Sequence, residues 1–401
     1  MLSALVLIAV QSVMPDSAWA QTYTVLDGGT FSGNVPANPA DGSTIDLQGV
    51  TATGNVTVTL PTGAGGLTIN SATGESVVAI DSTVLGTNGT ALFTNTTTGS
   101  VIVNLTGGLV TFTGGSANLD GAVITSSSGV TINGSDVTFS DNKAGRSGGA
   151  LIVRKLATAP SGNLVINADN VTLTNNTARA EGGALFTSNG AIVIGNGAGA
   201  ILVQNNSSNG AVNDVSGTFH TGGAISAGTT STNTTPSTLT INGASITILG
   251  NSLTGRQQVV GGAIYARRGV TLISSGAVEL SGNSVSGSSG VVTSSVYGGA
   301  IGVGFGSELI PVTITGDTIT LTHNTATATA TTGAVQAVGG AIYATGEITL
   351  TAAGKIDAEG NKAITPGLAG GGALYSGRGA VTLTGSEIVL SDNYVSGSSA
   401  L

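Results

Sequence analysis

One short motif recurs along this chain in a fixed order, and it leaves little choice of architecture. Gly-Gly-Ala followed by Ile or Leu occurs seven times. Its glycine pairs are Gly148-Gly149, Gly182-Gly183, Gly222-Gly223, Gly261-Gly262, Gly298-Gly299, Gly339-Gly340 and Gly371-Gly372, spaced 32 to 41 residues apart. Between the copies lies a second motif of three variable residues and Asn. It ends at Asn142, Asn176, Asn206, Asn251, Asn283, Asn324, Asn361 and Asn393, and the copy at Asn361 is the weakest. A repeat of this length is the signature of a solenoid, in which each unit stacks on the next.

Each unit keeps one order. An alternating run such as Val171-Thr172-Leu173-Thr174 leads to the Asn, a polar loop follows, then Gly-Gly-Ala, then a second alternating run such as Val270-Thr271-Leu272-Ile273. Alternation at period two marks strands, and no helical period is sustained anywhere. The class is therefore all-β, a β-solenoid with no helical domain. The loops run from five residues (143 to 147) to fifteen (207 to 221), as expected if insertions collect on one face. Gly-Gly is expected to supply positive φ and close backbone approach, and Ala to keep a corner thin. The Asn is expected to end its strand in the left-handed region and to stack with its counterparts as an amide ladder. With roughly 37 residues per unit, analogy with other solenoids gives two coils per unit. Some twenty coils would then extend close to ~100 Å.

Composition agrees. Charged residues are 8%, aromatics 3% and glycine 65 of 401, so small and β-branched residues must build both core and surface. A hydrophobic share of 40% argues against disorder. The net charge is −9, with no Lys or Arg before Lys143, which excludes a phosphate-reading nucleic-acid binder. No cysteine is present, which removes disulfides, thiolate metal sites and Cys nucleophiles.

The domain reading has three parts. Residues 1–20 read as a signal peptide, with an apolar run from Leu2 to Val10 and an Ala18-Trp19-Ala20 cleavage site between Ala20 and Gln21. It lacks a positive n-region, so the true start is expected upstream of Met1. Residues 21–138 show the same texture without clear copies, as in Val56 to Leu60 and Val101 to Leu105, and read as atypical first coils. Asp120-Gly121-Ala122-Val123 reads there as a decayed copy of the glycine motif. Residues 139–401 form the repeat region, expected to be truncated at its C-terminus because the chain stops inside a unit.

The pairing of Phe139-Ser140-Asp141-Asn142 with Gly148 to Leu151, and of Leu173 to Asn176 with Gly182 to Leu185, resembles the FxxN and GGA[ILV] motifs of the chlamydial polymorphic outer membrane proteins. The likeness covers roughly residues 139 to 393. Phe139 alone has the family's Phe, most other copies have Leu, and the cysteines usual in the family are missing. The resemblance implies a right-handed, single-stranded parallel β-helix of the pectin-lyase-like kind. It implies an autotransporter passenger at the outer membrane or cell surface, or secreted, that adheres to host or neighbouring cells through an unnamed receptor. The outer-membrane barrel that anchors such passengers is not in this sequence.

Parallel β-helices also carry polysaccharide lyases and hydrolases, and a structural envelope protein is the other alternative. A glycosidase needs two carboxylates at a working separation. Here no two acids adjoin. The closest pair, Asp357 and Glu359, reads as a solvated strand end, and Asp141, Asp317 and Asp392 read as turns. Arg154-Lys155 and Arg267-Arg268 read as solvated turns, and His220 and His323 as isolated, solvated loop residues without zinc or catalytic partners. The nearest approach to a calcium repeat, Gly114 to Asp120, lacks its third glycine, and no phosphate-binding fingerprint occurs. The expectation is a non-enzyme with no cofactor, metal or small-molecule substrate. It would bind through its variable loops, the longest including 207–221 and 325–338.

Overall fold

The computed structural model describes residues 109–127, 129–154, 162–210, 219–229, 237–287, 294–304, 308–329 and 335–400, with short strands before them. The signal-peptide reading, including Ala20 and Gln21, and the Val56 to Leu60 run lie outside these residues.

Every strand pairing is parallel, and no helix occurs among the described residues. The chain is an all-β parallel β-helix with four sheets of 19, nine, nine and six strands. One coil shows how the sequence makes them. Ile264–Ala266 follows the glycine motif and enters a nine-stranded sheet, here called the return sheet. Val270–Ser274 and Ala277–Ser281 lie end to end in the 19-stranded main sheet. Ser284–Gly287 follows Asn283 into the second nine-stranded sheet, the Asn sheet. Ser294–Tyr297 joins the six-stranded sheet and leads to the next Gly-Gly.

Burial alternates along the strands. Val270, Leu272, Val278 and Leu280 point inward while Thr271 and Glu279 point out. Their counterparts in the next coil, Val312, Ile314, Ile319 and Leu321, repeat the pattern in register. A one-residue slip would turn every such row to solvent, so the alternation fixes the stacking. The main core lies between the main and return sheets. A smaller one, with Leu253, Val259, Val285 and Val296, lies between the Asn sheet and the six-stranded sheet.

The count of two coils per unit is wrong: each unit is one coil. Val270 pairs with Val312, and Ile264 with Ile301, a whole unit further on. The two alternating runs of a unit do not stack on one another. They lie end to end on the same side, separated by Ser275-Gly276, and three shorter strands close the turn. The main-sheet column therefore holds twelve strands. It runs from Thr22–Val25 through Thr44–Leu47, Thr68–Ser71, Val101–Leu105 and Val130–Ser140 to Val381–Thr384. At ~4.8 Å per step the stack is about 55 Å long, not 100 Å.

The two glycines of each pair do different work. Gly261 has φ of +76°, and its counterparts share the left-handed conformation that turns the chain into the return strand. Gly262 is needed for approach, since a Cβ there would overlap the carbonyl oxygen of Gly299 in the next coil. Ala263 is fully buried, and the Ala300 carbonyl accepts from both Ala263 N–H (3.0 Å) and Ile264 N–H (2.9 Å). The decayed copy is set one residue later than its sequence suggests. Ile124 pairs with Leu151, so Gly121, with φ of +46°, stands in the place of Gly148 and Ala122 in that of Gly149.

Candidate functional site

The asparagines form a continuous ladder. Asn283 Nδ2 donates to Asn324 Oδ1 (3.0 Å) and to the Ile248 carbonyl (2.8 Å). Its Oδ1 accepts from the backbone N–H and the Nδ2 of Asn251, both at 3.0 Å. The same four bonds recur from Asn176 to Asn361; at the start of the ladder Asn142 Oδ1 accepts from Gly115 N–H alone (2.9 Å), and Asn393 Oδ1 and Nδ2 complete the last rung. Seven of these eight residues, Asn142 to Asn361, are wholly buried, and their amides are hydrogen-bonded inside the wall. The ladder is scaffold and presents nothing to a ligand.

The left-handed residue is not the Asn itself but the one before it. Asp141, Asn175, Asn205 and His323 have φ of 54° to 56°, and glycine takes the place at 250, 282 and 360. The ladder Asn must keep its extended geometry to reach both neighbours, so the bend falls one residue earlier. The FxxN phenylalanine position is explained by the same geometry. Phe139 is buried on Phe112, with ring centroids 4.9 Å apart, and its carbonyl accepts from Asn176 Nδ2 (2.9 Å). Leu173, Val203, Ile248, Leu280 and Leu321 continue that column. The position needs a core filler and a carbonyl, which Leu supplies as well as Phe.

Several polar residues stand where the sequence did not put them. His220 is 2% exposed, not solvated. It begins the inward column continued by Val259, Val296 and Ala337, and fits because Gly210 and Gly255 leave space over its ring. His323 is exposed at its turn, as are Asp141, Asp317 and Asp392. Arg154 and Arg267 are not in solvated turns either. Arg267 is 8% exposed, Arg154 folds along the glycine corner, and Arg268 pairs with Glu308 at 2.7 Å. Lys155 lies outside the described residues. Asp357 and Glu359 do share the outer face of one strand, where Asp357 is held by Lys355 (2.7 Å).

Among the described residues, partly buried charges gather in the crease at the glycine corner. There the residue just before each glycine pair faces the middle residue of the return strand. Thr221 meets Ser226 in this way (2.9 Å), and Tyr297 meets Tyr343 (4.6 Å between centroids), with Tyr343 stacked in turn on Tyr375. In the first coils the crease is polar. Ser147, Glu181 and Thr221 follow one another in it by parallel bridges. Asp120 is gripped by Arg146, through Nε at 2.9 Å and Nη2 to the second oxygen, and is touched by Arg154 Nη2 at 3.2 Å. Arg154 also lies over the ring of Phe186, 5.8 Å from its centroid. Burial pushes the Glu181 carboxyl up to about 7, and Arg154 only partly opposes this. Burial likewise lowers Arg154, against the pull of Asp120.

Sequence reading missed this cluster. Its signal was the acid standing before Gly121 and Gly182, hidden by the one-residue offset of the decayed copy. Among the described residues no three His, Asp or Glu side chains gather as a metal site. The hollow beside Leu374, Leu383, Leu390 and Asn393 is the uncovered face of the core at the last described coil. The proposed binding loops are narrower than expected. Ser207–Asn209, Phe219–Thr221, Thr325–Ala328 and Val335–Val338 are strands, which leaves 211–218 and 330–334, outside the described residues, as the variable parts.

The class defined by this geometry is a parallel β-helix built on asparagine and glycine corners. Within it, the Chlamydia polymorphic membrane protein (Chlamydia_PMP) repeat matches residues 136–152 and 170–188. Each matched segment holds one ladder Asn and one Gly-Gly-Ala corner, and five further coils repeat both motifs. No curated protein sequence and no solved structure matches the chain.

Proposed function

We propose that the chain is an exported, surface-displayed passenger of autotransporter type, without enzymatic activity, that adheres to host or neighbouring cells. The observation that carries this reading is where variation falls. In sequence, 211–218, 288–293 and 330–334 each fall between an Asn-sheet strand and a strand of the six-stranded sheet, and a second set of insertions, 155–161, 230–236 and 305–307, falls between a return strand and a main-sheet strand. The corners beneath them keep their geometry from coil to coil. Recognition commonly sits on variable segments held by a rigid scaffold. The likeness to the membrane protein repeat supports surface display, and the scattered acids at turns support a non-catalytic role. The receptor is a cell-surface molecule, and no nucleic acid, metal or cofactor enters the proposal.

The test is binding of the purified chain to cultured host cells, with the three segments of the first set replaced one at a time by Gly-Ser linkers. Saturable binding is expected, and at least one replacement should remove most of it with melting unchanged. Undiminished binding of all three variants would sink the site assignment. No binding by the intact chain would sink adhesion itself.

A further inference from the structure

Aromatic side chains are 3% of this chain, with six tyrosines in 401 residues, yet three of the six meet in one crease. The backbone explains how. Thr221, just before its glycine pair, finds the Ser226 hydroxyl in its own coil. Two coils on, Tyr297 holds the place of Thr221 and Gly302 that of Ser226. Gly302 offers no side chain, so the Tyr297 ring lies instead against Tyr343, which pairs with Gly302 from the next coil. The two centroids are 4.6 Å apart and the planes tilt by 37°, so the rings converge along one edge. Tyr375, a further coil on, is stacked nearly parallel to Tyr343 at 6.1 Å. All three residues are half-buried and keep part of their surface open to solvent. The other two described tyrosines differ. Tyr265 is sealed in the wall, and Tyr394, 52% exposed, stands in the Asn sheet.

We infer that Tyr297 and Tyr343 are a modification site, at which a peroxide acting through a haem peroxidase joins the two rings as dityrosine and staples one coil to the next. Each phenol gives up one electron and its hydroxyl proton. The peroxide accepts both electrons and both protons and leaves as two waters. The two phenoxyl radicals carry spin on the carbons ortho to oxygen, and one carbon–carbon bond forms between those positions. The hydrogen displaced from each ortho carbon moves to the oxygen of its own ring, so both hydroxyls are restored. Burial holds both phenols above their ordinary range, so they are neutral until oxidised. Stacking alone does not call for tyrosine, since phenylalanine stacks as well. Tyrosine adds two oxidisable rings held together across coils, in a chain that has no cysteine and so no disulfide to do the same. Tyr343 and Tyr375 are the less suited pair, because their rings are further apart and nearly parallel, with no converging edge. The site stands whether or not the chain adheres to cells.

The experiment is treatment of the dilute full chain with hydrogen peroxide and a haem peroxidase. Dityrosine fluorescence should appear in the monomer, with the loss of two hydrogens from the intact mass. Cleavage after glutamate puts Tyr297 in residues 280–308, Tyr343 in 309–347 and Tyr375 in 360–387, so the joined pair is read directly. The first two peptides should be linked. Tyr297→Phe and Tyr343→Phe, which keep the rings, should each remove that link, and Tyr375→Phe should leave it. The treated parent should unfold at least about tenfold more slowly in denaturant than the untreated chain, with no slowing in treated Tyr343→Phe. Coupling only between molecules, a link from 309–347 to 360–387 instead, or an undiminished link in either of the first two variants would overturn the pair. No dityrosine in the parent, under conditions that couple free tyrosine, would overturn the site. A link without slower unfolding would overturn the staple.

Discussion

At the scale of single residues, the ladder asparagine is the side chain whose loss should be felt most. Asn283→Ala removes two donated bonds and leaves the Asn251 N–H and amide without their acceptor inside the wall. Unsatisfied buried groups cost about 1–3 kcal/mol each, so a loss of roughly 3 kcal/mol is expected in denaturant unfolding. Asn283→Asp should be at least as damaging, because a carboxylate cannot donate to Asn324 Oδ1 or to the Ile248 carbonyl. A change under about 0.5 kcal/mol for either would mean the ladder is decorative. Glu181 gives the second prediction at this scale. Its folded pKa, about 7, lies above the ordinary carboxyl value of 4.5, so the folded state holds the proton more tightly. Its contribution to stability is complete below pH 4.5 and is lost as pH rises to about 7. Melting followed from pH 4.5 to 8 should show that loss in the parent and a flatter profile in Glu181→Gln. Equal profiles would sink the assignment.

At the scale of elements, the corner needs both of its glycines, one for a turn within the coil and one for contact between coils. Gly298→Ala asks a Cβ to accept φ of +67° and also drives it onto the Ile301 carbonyl oxygen of its own corner. Gly299→Ala drives a Cβ into the Gly340 carbonyl oxygen, which must break the stacking of two coils. Both should therefore lower the melting temperature, the first by distorting its own corner and the second by parting two coils, and a variant at either position that melts like the parent would show that its glycine is not required. These elements were largely legible in sequence. The alternating runs became strands, and the motif spacing marked every corner. Three things were not legible. Alternation says which way a residue points but not whether consecutive runs stack or lie end to end, so the coil count came out double. The left-handed turn fell on the residue before the Asn, because chirality alone prefers Asn there, while the ladder needs Asn extended. The buried His220 depends on Gly210 and Gly255, which are distant in sequence and ordinary in isolation.

At the scale of the molecule, one coil per unit makes the chain a one-dimensional stack, in which each coil touches only its neighbours. That has a consequence the two-coil reading does not share. Removing residues 262 to 298 joins Gly261 to Gly299 and brings Ile301 to the place of Ile264, which it already faces in register. The main-sheet columns are equally restored, since Val312 replaces Val270 and Ile319 replaces Val278. The ladder closes as well, with Asn324 taking the place of Asn283 under Asn251. The shortened chain should keep its strand content by circular dichroism and its cooperative melting, and lose about one 4.8 Å step of length in small-angle scattering. Removing half a unit, residues 262 to 280, should behave differently. Ser281 would then follow Gly261, so an outward main-sheet residue and the ladder turn would follow a corner built for Ala and a return strand. The inward rows would have no partner, and the chain should aggregate or melt early. Two coils per unit would instead make the half deletion the milder one, so the order of the two melting temperatures decides between them.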